Sequence, residues 1–318
     1  MIKPKKILII GIAGGLAQMT ARLILNEHPD WEIIGTDSRD ISEVIQLPGL
    51  TCLNIKYSRG NFENLFRTHH FDVVYHLGRI SHSSNEQNVL AKRIDLSVMG
   101  TNRILDLCER SGIKKVIILS TFHVYGALPD NSIFLTEEAP LRASIRHPEL
   151  RDVIEMDQIC TSWMWKNQKE ISTIVLRPCN IIGTQIQNSM TKFLAGRVAL
   201  KPVDYNPFFQ FIHEFDMAHI LYKSLESLPT GTYNVAGDDF ISLRDALKTV
   251  GTKGVPFPMI LAGGLNEMLK KLGLNVPDYL LDYLKFSCLI SNSELKKHLG
   301  PHFLRFSIQE ALELIKLR

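Results

Sequence analysis

The amino-acid sequence predicts an α/β fold in which helices cover both faces of a doubly wound, parallel sheet. Two observations support this prediction. In the first half of the chain, short apolar and β-branched runs alternate with segments whose apolar residues recur at helical spacing. The chain has 318 residues, of which 45% are hydrophobic and 22% charged, so it contains enough apolar material for a large core.

The predicted strands follow one another with room for helices between them. They are KILIIG, WEIIGTD, FDVVYHLG, KKVIILS and STIVLRP. The segments AQMTARLILNEH and DLSVMGTNRILDLCERSG carry helical spacing, and Gly112 is a suitable stop for the second of them. Because parallel neighbours need a crossover connection, this alternation predicts a parallel sheet.

The pattern becomes less regular after Pro178. Helix-like segments such as MTKFLAGRVAL, FDMAHILYKSLESL and VPDYLLDYLKF are separated there by proline-containing loops. We therefore expect residues 1–180 to form the domain that carries the sheet, with segments near 211–236 returning to it. Residues 181–318 are expected to form mainly a smaller lobe.

Composition and charge argue against several classes of protein. A formal net charge of +3 gives no basic stripe for nucleic acid, and the longest apolar run near the C-terminal end is too short to span a bilayer. The five cysteines are scattered and form no C-x-x-C, which favours reduced thiols over disulfides or a metal cluster. The first strand leaves no room for a signal peptide. We expect a cytoplasmic protein with no metal, no nucleic-acid partner and no integral membrane segment.

A glycine-rich turn, GIAGGLA, lies between the first strand and the first helix. Gly11 permits the tight turn, Gly14 lets backbone N–H groups approach a pyrophosphate, and the small Ala17 lets helix and strand pack closely. The intervening Ala13, Gly15 and Leu16 are expected to face the same ligand. The turn therefore predicts a dinucleotide site.

An acidic residue at the end of the second strand strengthens this prediction. Asp37 lies about 20 residues after the turn, where a carboxylate accepts hydrogen bonds from an adenosine ribose. Its charge favours NAD over NADP, although Ser38 and Arg39 follow directly and an arginine there offers a partner for the extra phosphate. The backbone of Leu77 and Gly78 is expected beside the same cofactor.

The motifs together resemble the extended short-chain dehydrogenase/reductase family, in its NAD-dependent epimerase/dehydratase branch. The matching segments are GIAGGLA, GTD, DVVYHLG, SVMGTNRILDLCERSGIKKVIILSTFHVYG, TIVLRPCNIIGT, FQFIHEFDMAHIL, GTYNVAGDDFISLRDAL and SNSELKKHLG. The resemblance implies a Rossmann-type doubly wound parallel sheet with a smaller C-terminal α/β substrate lobe. It also implies an enzyme acting on a nucleotide sugar or a related hydroxy or keto substrate, and a possible homodimer.

The resemblance assigns roles to four residues. In LSTFHVYG, Thr121 matches the catalytic Ser/Thr that polarises the substrate oxygen, with Ser120 beside it; the alternative is a strand end that satisfies its own backbone. Asn180 matches a substrate-contacting asparagine. Asp216 matches an acid that braces the two lobes at the substrate side, or is simply an acid in the first turn of a helix.

The sequence departs from the family pattern in three places. Ser97 stands where the family has a helix asparagine on the cofactor side, and Lys56 lies near the position of an acid that meets the adenine. The tyrosine and the lysine four residues later that run proton transfer are missing. Counting back from VLRP places that pair at Arg151 and Glu155, and a slip of two residues places it at Val153 and Asp157.

Four nearby residues are candidates for the missing proton transfer. Glu155 and Asp157 act as bases where burial raises their pKa, and His123 and His147 carry groups that titrate near neutral pH. Two hypotheses remain open. One is an NAD(P)-dependent oxidoreductase or isomerase with a non-standard acid/base, and the other is a catalytically inactive NAD(P)-binding sensor or scaffold.

Overall fold

A central sheet of seven parallel strands organises the chain in the computed structural model, which describes residues 5–78, 95–186, 188–260 and 278–316. The strand order is β11-β6-β5-β4-β1-β2-β3. These strands are β1 (Lys6–Ile10), β2 (Glu32–Asp37), β3 (Leu50–Asn54), β4 (Val73–His76), β5 (Lys115–Leu119), β6 (Ser172–Pro178) and β11 (Gly231–Val235). The predicted doubly wound α/β fold is confirmed.

Helices cover both faces of this sheet because each strand presents apolar side chains to both faces. In β1, Ile7 and Ile9 belong to one buried cluster, whereas Leu8 and Ile10 belong to the other. Neighbouring residues of a strand point to opposite faces, so a strand covered on both sides reads as one continuous apolar run. KILIIG is such a run.

The helices within the described ranges follow the predicted pattern, with the loosely patterned half contributing shorter ones. They are α1 (Gly15–Glu27), α2 (Arg59–Thr68), α3 (Gly100–Arg110), α4 (Ala143–Arg146), α5 (Arg151–Asn167), α6 (Ser189–Leu194), α7 (Glu214–Ser224), α8 (Leu243–Val250), α9 (Asp278–Tyr283), α10 (Ser293–Leu299) and α11 (Ile308–Ile315). A π-helical turn, Asp95–Met99, precedes α3. In the described part of the chain no helix is long and apolar enough to cross a bilayer.

Three small two-stranded sheets lie after Pro178. They pair β7 (Asn180–Ile182) with β10 (Phe211–His213), β8 (Val198–Pro202) with β13 (Lys253–Phe257), and β9 (Phe208–Phe209) with β12 (Ile241–Ser242). The chain also returns to the central sheet here, because β11 pairs with β6 and α7 packs against α1.

The order of the strands places a crevice between β1 and β4. From β1 the chain builds outward through β2 and β3, and then returns to β4 on the other side of β1. The next strand after β1 thus lies on one side of this pair and the next strand after β4 on the other, and ligands bind at such switch points in open parallel sheets.

An ion pair removed from water joins α5 to β6. Arg177 donates from Nε to Oδ2 of Asp157 at 3.0 Å and from Nη2 to Oδ1 at 2.6 Å, and the two side chains are 4% and 0% exposed. Ser120, which follows β5, donates its hydroxyl to the same carboxylate at 2.5 Å. The pair therefore fixes the carboxyl end of β5 against α5.

Further hydrogen bonds extend this pair to the edge of the sheet. Nη1 of Arg177 donates to the Tyr125 hydroxyl at 2.9 Å, and that hydroxyl donates to Oδ1 of Asn234 in β11 at 2.8 Å. Burial raises the pKa of Tyr125 to about 12, so this phenol stays protonated and structural. Asn234 donates in turn to the carbonyl of Leu135 at 3.0 Å, which ties down the loop after β5.

Breaking the buried pair should destabilise the fold far more than breaking an exposed one on the same helix. We expect Asp157→Ala to lower the free energy of unfolding by about 3–5 kcal/mol, because it leaves Arg177 charged and buried. The matched control is Glu155→Ala, which removes an exposed pair with Arg151 and should cost less than about 1 kcal/mol. Equal losses in urea unfolding would contradict the structural role of Asp157.

Candidate active site

A cavity of about 570 Å³ lies at the carboxyl ends of β1, β4, β5 and β6. One end is formed by the glycine-rich turn and the other by the loops that follow β5 and β6. Its lining residues are Gly11, Ala13, Gly14, Gly15, Leu16, Ala17, Arg39, Leu77, Leu119, Ser120, Thr121, Phe122, His123, Pro178, Cys179, Asn180, Ile181, Gln185, Ile186, Asn188, Ser189, Met190, Tyr279 and Leu280. Most of the predicted cofactor residues are thus brought together.

The glycine-rich turn has the shape that a pyrophosphate needs. Gly11 has φ 98°, and a Cβ at that residue would lie 2.7 Å from the backbone of Gly78, so only glycine fits there. Gly14 precedes α1 and gives no side-chain cap, which leaves the first-turn N–H groups directed into the cavity. These N–H groups and the positive end of the helix dipole suit a diphosphate. The turn fits a dinucleotide.

Asp37 lies beside this turn, at the end of β2. Its side chain is 6% exposed, and the carboxylate accepts the backbone N–H of Ala13 at 3.0 Å. Burial acts to raise the pKa of Asp37, but hydrogen bonds from Arg39 and Ala13 outweigh it and hold that pKa below its ordinary value. A charged acceptor therefore stands where the sequence predicts a ribose contact.

Four of the twelve predicted cofactor residues, Asp37 and three others, are absent from the cavity lining. Ser38 is exposed on the solvent side of Asp37, and Ser97 is half-buried in the π-helical turn before α3. Gly78 does not line the cavity either, but its backbone supports Gly11 from behind. Leu77 lines the cavity.

The hydroxyl residues after β5 have different surroundings. Ser120 is fully buried, and its hydroxyl donates to Asp157. Thr121 is 5% exposed and lines the cavity, and its Oγ1 accepts the backbone N–H of His123 at 3.4 Å. A hydroxyl that accepts one hydrogen bond still has its proton to donate. The geometry favours Thr121 for contact with substrate and Ser120 for positioning.

The acids of α5 do not line the cavity. Glu155 pairs with Arg151 at 2.5 Å on an exposed face, and Asp157 is bound by Arg177 and Ser120. The helical geometry that puts Asp157 inward directs Glu155 away from the site. Neither placement favours the predicted role in proton transfer.

His123 and Tyr279 bring an imidazole and a phenol to the cavity lining. Their rings lie 5.4 Å apart in an edge-to-face arrangement, and both side chains line the wall that Thr121 lines. His123 is in the short helical turn Phe122–Val124, directly after Thr121. Tyr279 comes from α9, and sequence reasoning missed it because VPDYLLDYLKF shows only an amphipathic pattern.

A charged cluster holds α9 against the segment that precedes α5. His147 lies 2.9 Å from Oδ2 of Asp282 through Nε2 and 3.4 Å from Oε1 of Glu149 through Nδ1. Arg146 also reaches Asp282, at 3.4 Å. Since Asp282 is three residues after Tyr279 on the same helix, the cluster fixes the face that carries Tyr279.

The two predicted substrate-side residues have distinct roles. Asn180 is 6% exposed, lines the cavity, and donates from Nδ2 to the carbonyl of Gln210 at 3.2 Å. Asp216 lies outside the lining, in the first turn of α7. Its carboxylate accepts the backbone N–H groups of Arg305 at 3.0 Å and Phe306 at 3.1 Å. Asp216 thus holds the segment that precedes α11 against the first turn of α7.

Comparison with protein families and curated proteins gives a consistent result. The family model described as the NAD dependent epimerase/dehydratase family matches residues 7–236. An uncharacterized protein of Mycobacterium tuberculosis is 23% identical over 308 residues, covering 93% of this chain and 80% of the relative. A dTDP-D-glucose 4,6-dehydratase of Dictyostelium discoideum is 32% identical over 131 residues, covering 39% of this chain and 30% of that protein.

Solved structures share the fold over almost the whole chain. A dTDP-glucose 4,6-dehydratase of Bacillus anthracis in complex with NAD has a TM-score of 0.75 at 16% identity, covering 98% of this chain and 96% of that one. A UDP-glucose 4-epimerase of Thermotoga maritima with UDP-glucose has a TM-score of 0.74 at 15% identity, with 98% and 97% covered. At these identities the likeness shows a shared fold.

The charged cluster at α9 predicts a specific pH dependence. Burial would lower the pKa of His147, but Asp282 and Glu149 outweigh it and raise that pKa from 6.5 to about 9. A group with a raised folded pKa stabilises the fold fully below about pH 6.5, and this contribution is lost as the pH rises through about 9. Urea unfolding should therefore show a larger loss of stability between these pH values for the natural chain than for His147→Gln. Parallel pH curves would contradict a charged His147.

Proposed function

Because the chain belongs to the NAD dependent epimerase/dehydratase family, we propose that it is an enzyme that oxidises or reduces a carbinol or carbonyl carbon with NAD. The observation that carries this proposal is the single cavity at the ends of β1, β4, β5 and β6. Its lining includes the pyrophosphate-binding turn, whose Ala13 N–H binds Asp37, together with Thr121, His123 and Tyr279.

The residues of the turn fit NAD, the cofactor predicted from the sequence. The uncapped first turn of α1 would hold the pyrophosphate, and Leu77 would lie against the cofactor. The Asp37 carboxylate would accept hydrogen bonds from the hydroxyls of the adenosine ribose. The nicotinamide supplies a hydride acceptor or donor when it is bound. The family description and solved structures in complex with NAD support this choice.

Thr121 and its neighbours would handle the substrate oxygen. The Thr121 hydroxyl donates a hydrogen bond to that oxygen, and this bond strengthens as negative charge develops there. The neutral imidazole of His123, or the side chain of Tyr279 as its phenolate, accepts the hydroxyl proton during oxidation, and the resulting imidazolium or phenol returns it during reduction. In this proposal His123 and Tyr279, which come from different lobes, replace a tyrosine and lysine that a standard site carries on one helix.

A nucleotide sugar is the substrate class that the relatives favour. The similar proteins include dTDP- and UDP-sugar dehydratases and a UDP-glucose 4-epimerase, one of them solved with UDP-glucose. The cavity also continues past Thr121 to Asn180, Asn188 and Ser189, whose amide and hydroxyl groups suit the hydroxyls of a sugar.

A catalytically inactive NAD-binding protein is the second candidate function. The observation that favours it is α5, whose segment RDVIEMDQIC supplies neither tyrosine nor lysine. Its two candidate acids, Glu155 and Asp157, are committed to Arg151 and Arg177. Such a protein would bind NAD at the same turn and would show no hydride transfer with any substrate.

The two functions are separated by measuring binding and turnover on the same preparations. If the chain is an enzyme, nicotinamide absorbance or sugar conversion will report turnover with an NDP-sugar. His123→Gln, Tyr279→Phe and Thr121→Val should each be tested, and the essential ones should lose about 100-fold or more in kcat. Their affinity for NAD should stay within about twofold, because the pyrophosphate turn is unchanged.

The control variant is Tyr205→Phe, which removes only the hydroxyl of an exposed tyrosine outside the cavity lining. It should leave kcat unchanged. A natural chain that binds NAD but gives no turnover across NDP-sugars and simple hydroxy or keto substrates would contradict the enzyme and support the inactive binder.

A further inference from the structure

The loop that follows β7 lies against the glycine-rich turn. We call this loop, residues 183–186, the strap. A Cβ at Gly15 would lie 3.0 Å from the Cβ of Gln185 and 3.2 Å from its carbonyl oxygen. Gln185 and Ile186 line the same cavity as Gly14 and Gly15. The strap therefore forms a wall of the cavity at the first turn of α1.

A buried carboxylate anchors the strap. Ile182 pairs with His213 in register, so the strap leaves β7 at the point where α7 begins after β10. Glu214, the first residue of α7, is 4% exposed. Its two carboxylate oxygens each lie 3.1 Å from the backbone N of Gln185, whose N–H they accept, and Oε1 accepts the Thr184 hydroxyl at 3.3 Å. Hydrogen bonds to a charged acceptor are stronger than neutral ones, so this anchor is firm.

The surroundings of Glu214 fix the anchor in place. A carboxylate is favoured at the N-terminus of a helix, and α7 also packs against α1. A Cβ at Gly183 would overlap the Glu214 carboxyl group, so glycine is required where the strap passes the anchor. Glu214 itself does not line the cavity, and its charge is directed at the strap. The anchor thus holds the strap without facing a ligand.

Close approach of the strap explains the glycine at position 15. Gly15 is the first residue of α1, and it does not have the positive φ that other glycines of the chain have. The backbone therefore does not demand glycine there, and glycine is a poor helix former. What excludes a side chain is the contact with Gln185.

We propose that Glu214 is a positioning residue that holds the strap against the first turn of α1, so that a bound dinucleotide is enclosed there and leaves slowly. It acts through Gln185, which lies beside the position proposed for the pyrophosphate. This inference rests on the proposed function, because it requires a dinucleotide at the turn.

The test is surface plasmon resonance with the full chain immobilised and NAD as the probe, which gives both rate constants. Glu214→Gln keeps the size of the side chain but removes its charge and one of its two acceptor oxygens. We expect koff to rise about tenfold, because the strap loses charge-assisted hydrogen bonds. The value of kon should stay within about twofold, because the turn that captures the pyrophosphate is unchanged.

A second variant reaches the strap from the other side. Gly15→Ala places a methyl group too close to Gln185 and should displace the strap, raising koff about threefold or more. The double variant should have a koff within about twofold of that of Glu214→Gln alone, because both changes act on one strap and their effects do not add.

The matched control is Glu310→Gln. Glu310 is also an acid in the first turn of a helix, α11, and it accepts the backbone N–H of Ser307 at 2.8 Å outside the cavity lining. This variant should change neither rate constant for NAD.

The outcomes separate the inference from the function on which it rests. An unchanged koff in Glu214→Gln, a rise of kon as large as that of koff, or multiplied effects in the double variant overturns the strap while the cofactor assignment stands. Should Glu214→Gln not fold, an unchanged koff in Gly15→Ala overturns the strap. Absence of NAD binding to the natural chain and to every variant overturns the strap and the proposed function together.

Discussion

The buried ion pair between Asp157 and Arg177 is the interaction on which the site depends. Neither charge is tolerated alone at 0% and 4% exposure, so each side chain fixes the other and, with it, the contact between α5 and β6. Ser120 donates a hydrogen bond to the same carboxylate, which fixes the end of β5 against α5. Thr121 is therefore held at the cavity wall by a structural network. The same network commits Asp157 to structure, which favours the proposal that proton transfer belongs to residues of other elements.

The cofactor end of the cavity depends on close packing of backbone. Gly11 lies so near Gly78 that a side chain is excluded, and this contact sets the path of the turn that directs the first N–H groups of α1 into the crevice. The strand order explains why the crevice is there, since β1 and β4 send their connections in opposite directions. The two ends of the cavity thus arise from separate constraints.

The sequence predicts the fold and the cofactor end well because both depend on local patterns. Continuous apolar runs and a glycine turn after a buried strand are visible in a single sequence. The proton-transfer end is different. Tyr279 lines the same cavity as Thr121 although the two residues are far apart in the chain. Asp157 is buried, and Glu155 pairs with Arg151 on the other side of the helix, because of how α5 is rotated against β6. Contacts between distant segments leave no local signature in the sequence. Arg39 could be identified as a residue near the cofactor, but its two guanidinium hydrogen bonds to Asp37 could not be predicted.

A crystal structure of the chain with NAD and an NDP-sugar bound would test the central claim most directly, because it shows which side chains surround the reacting carbon. The account predicts Thr121 and either His123 or Tyr279 within about 3 Å of the substrate oxygen, the reach of a general base, with Asp157 still paired to Arg177. A structure in which Glu155 or Asp157 turns into the cavity and contacts that oxygen would contradict it.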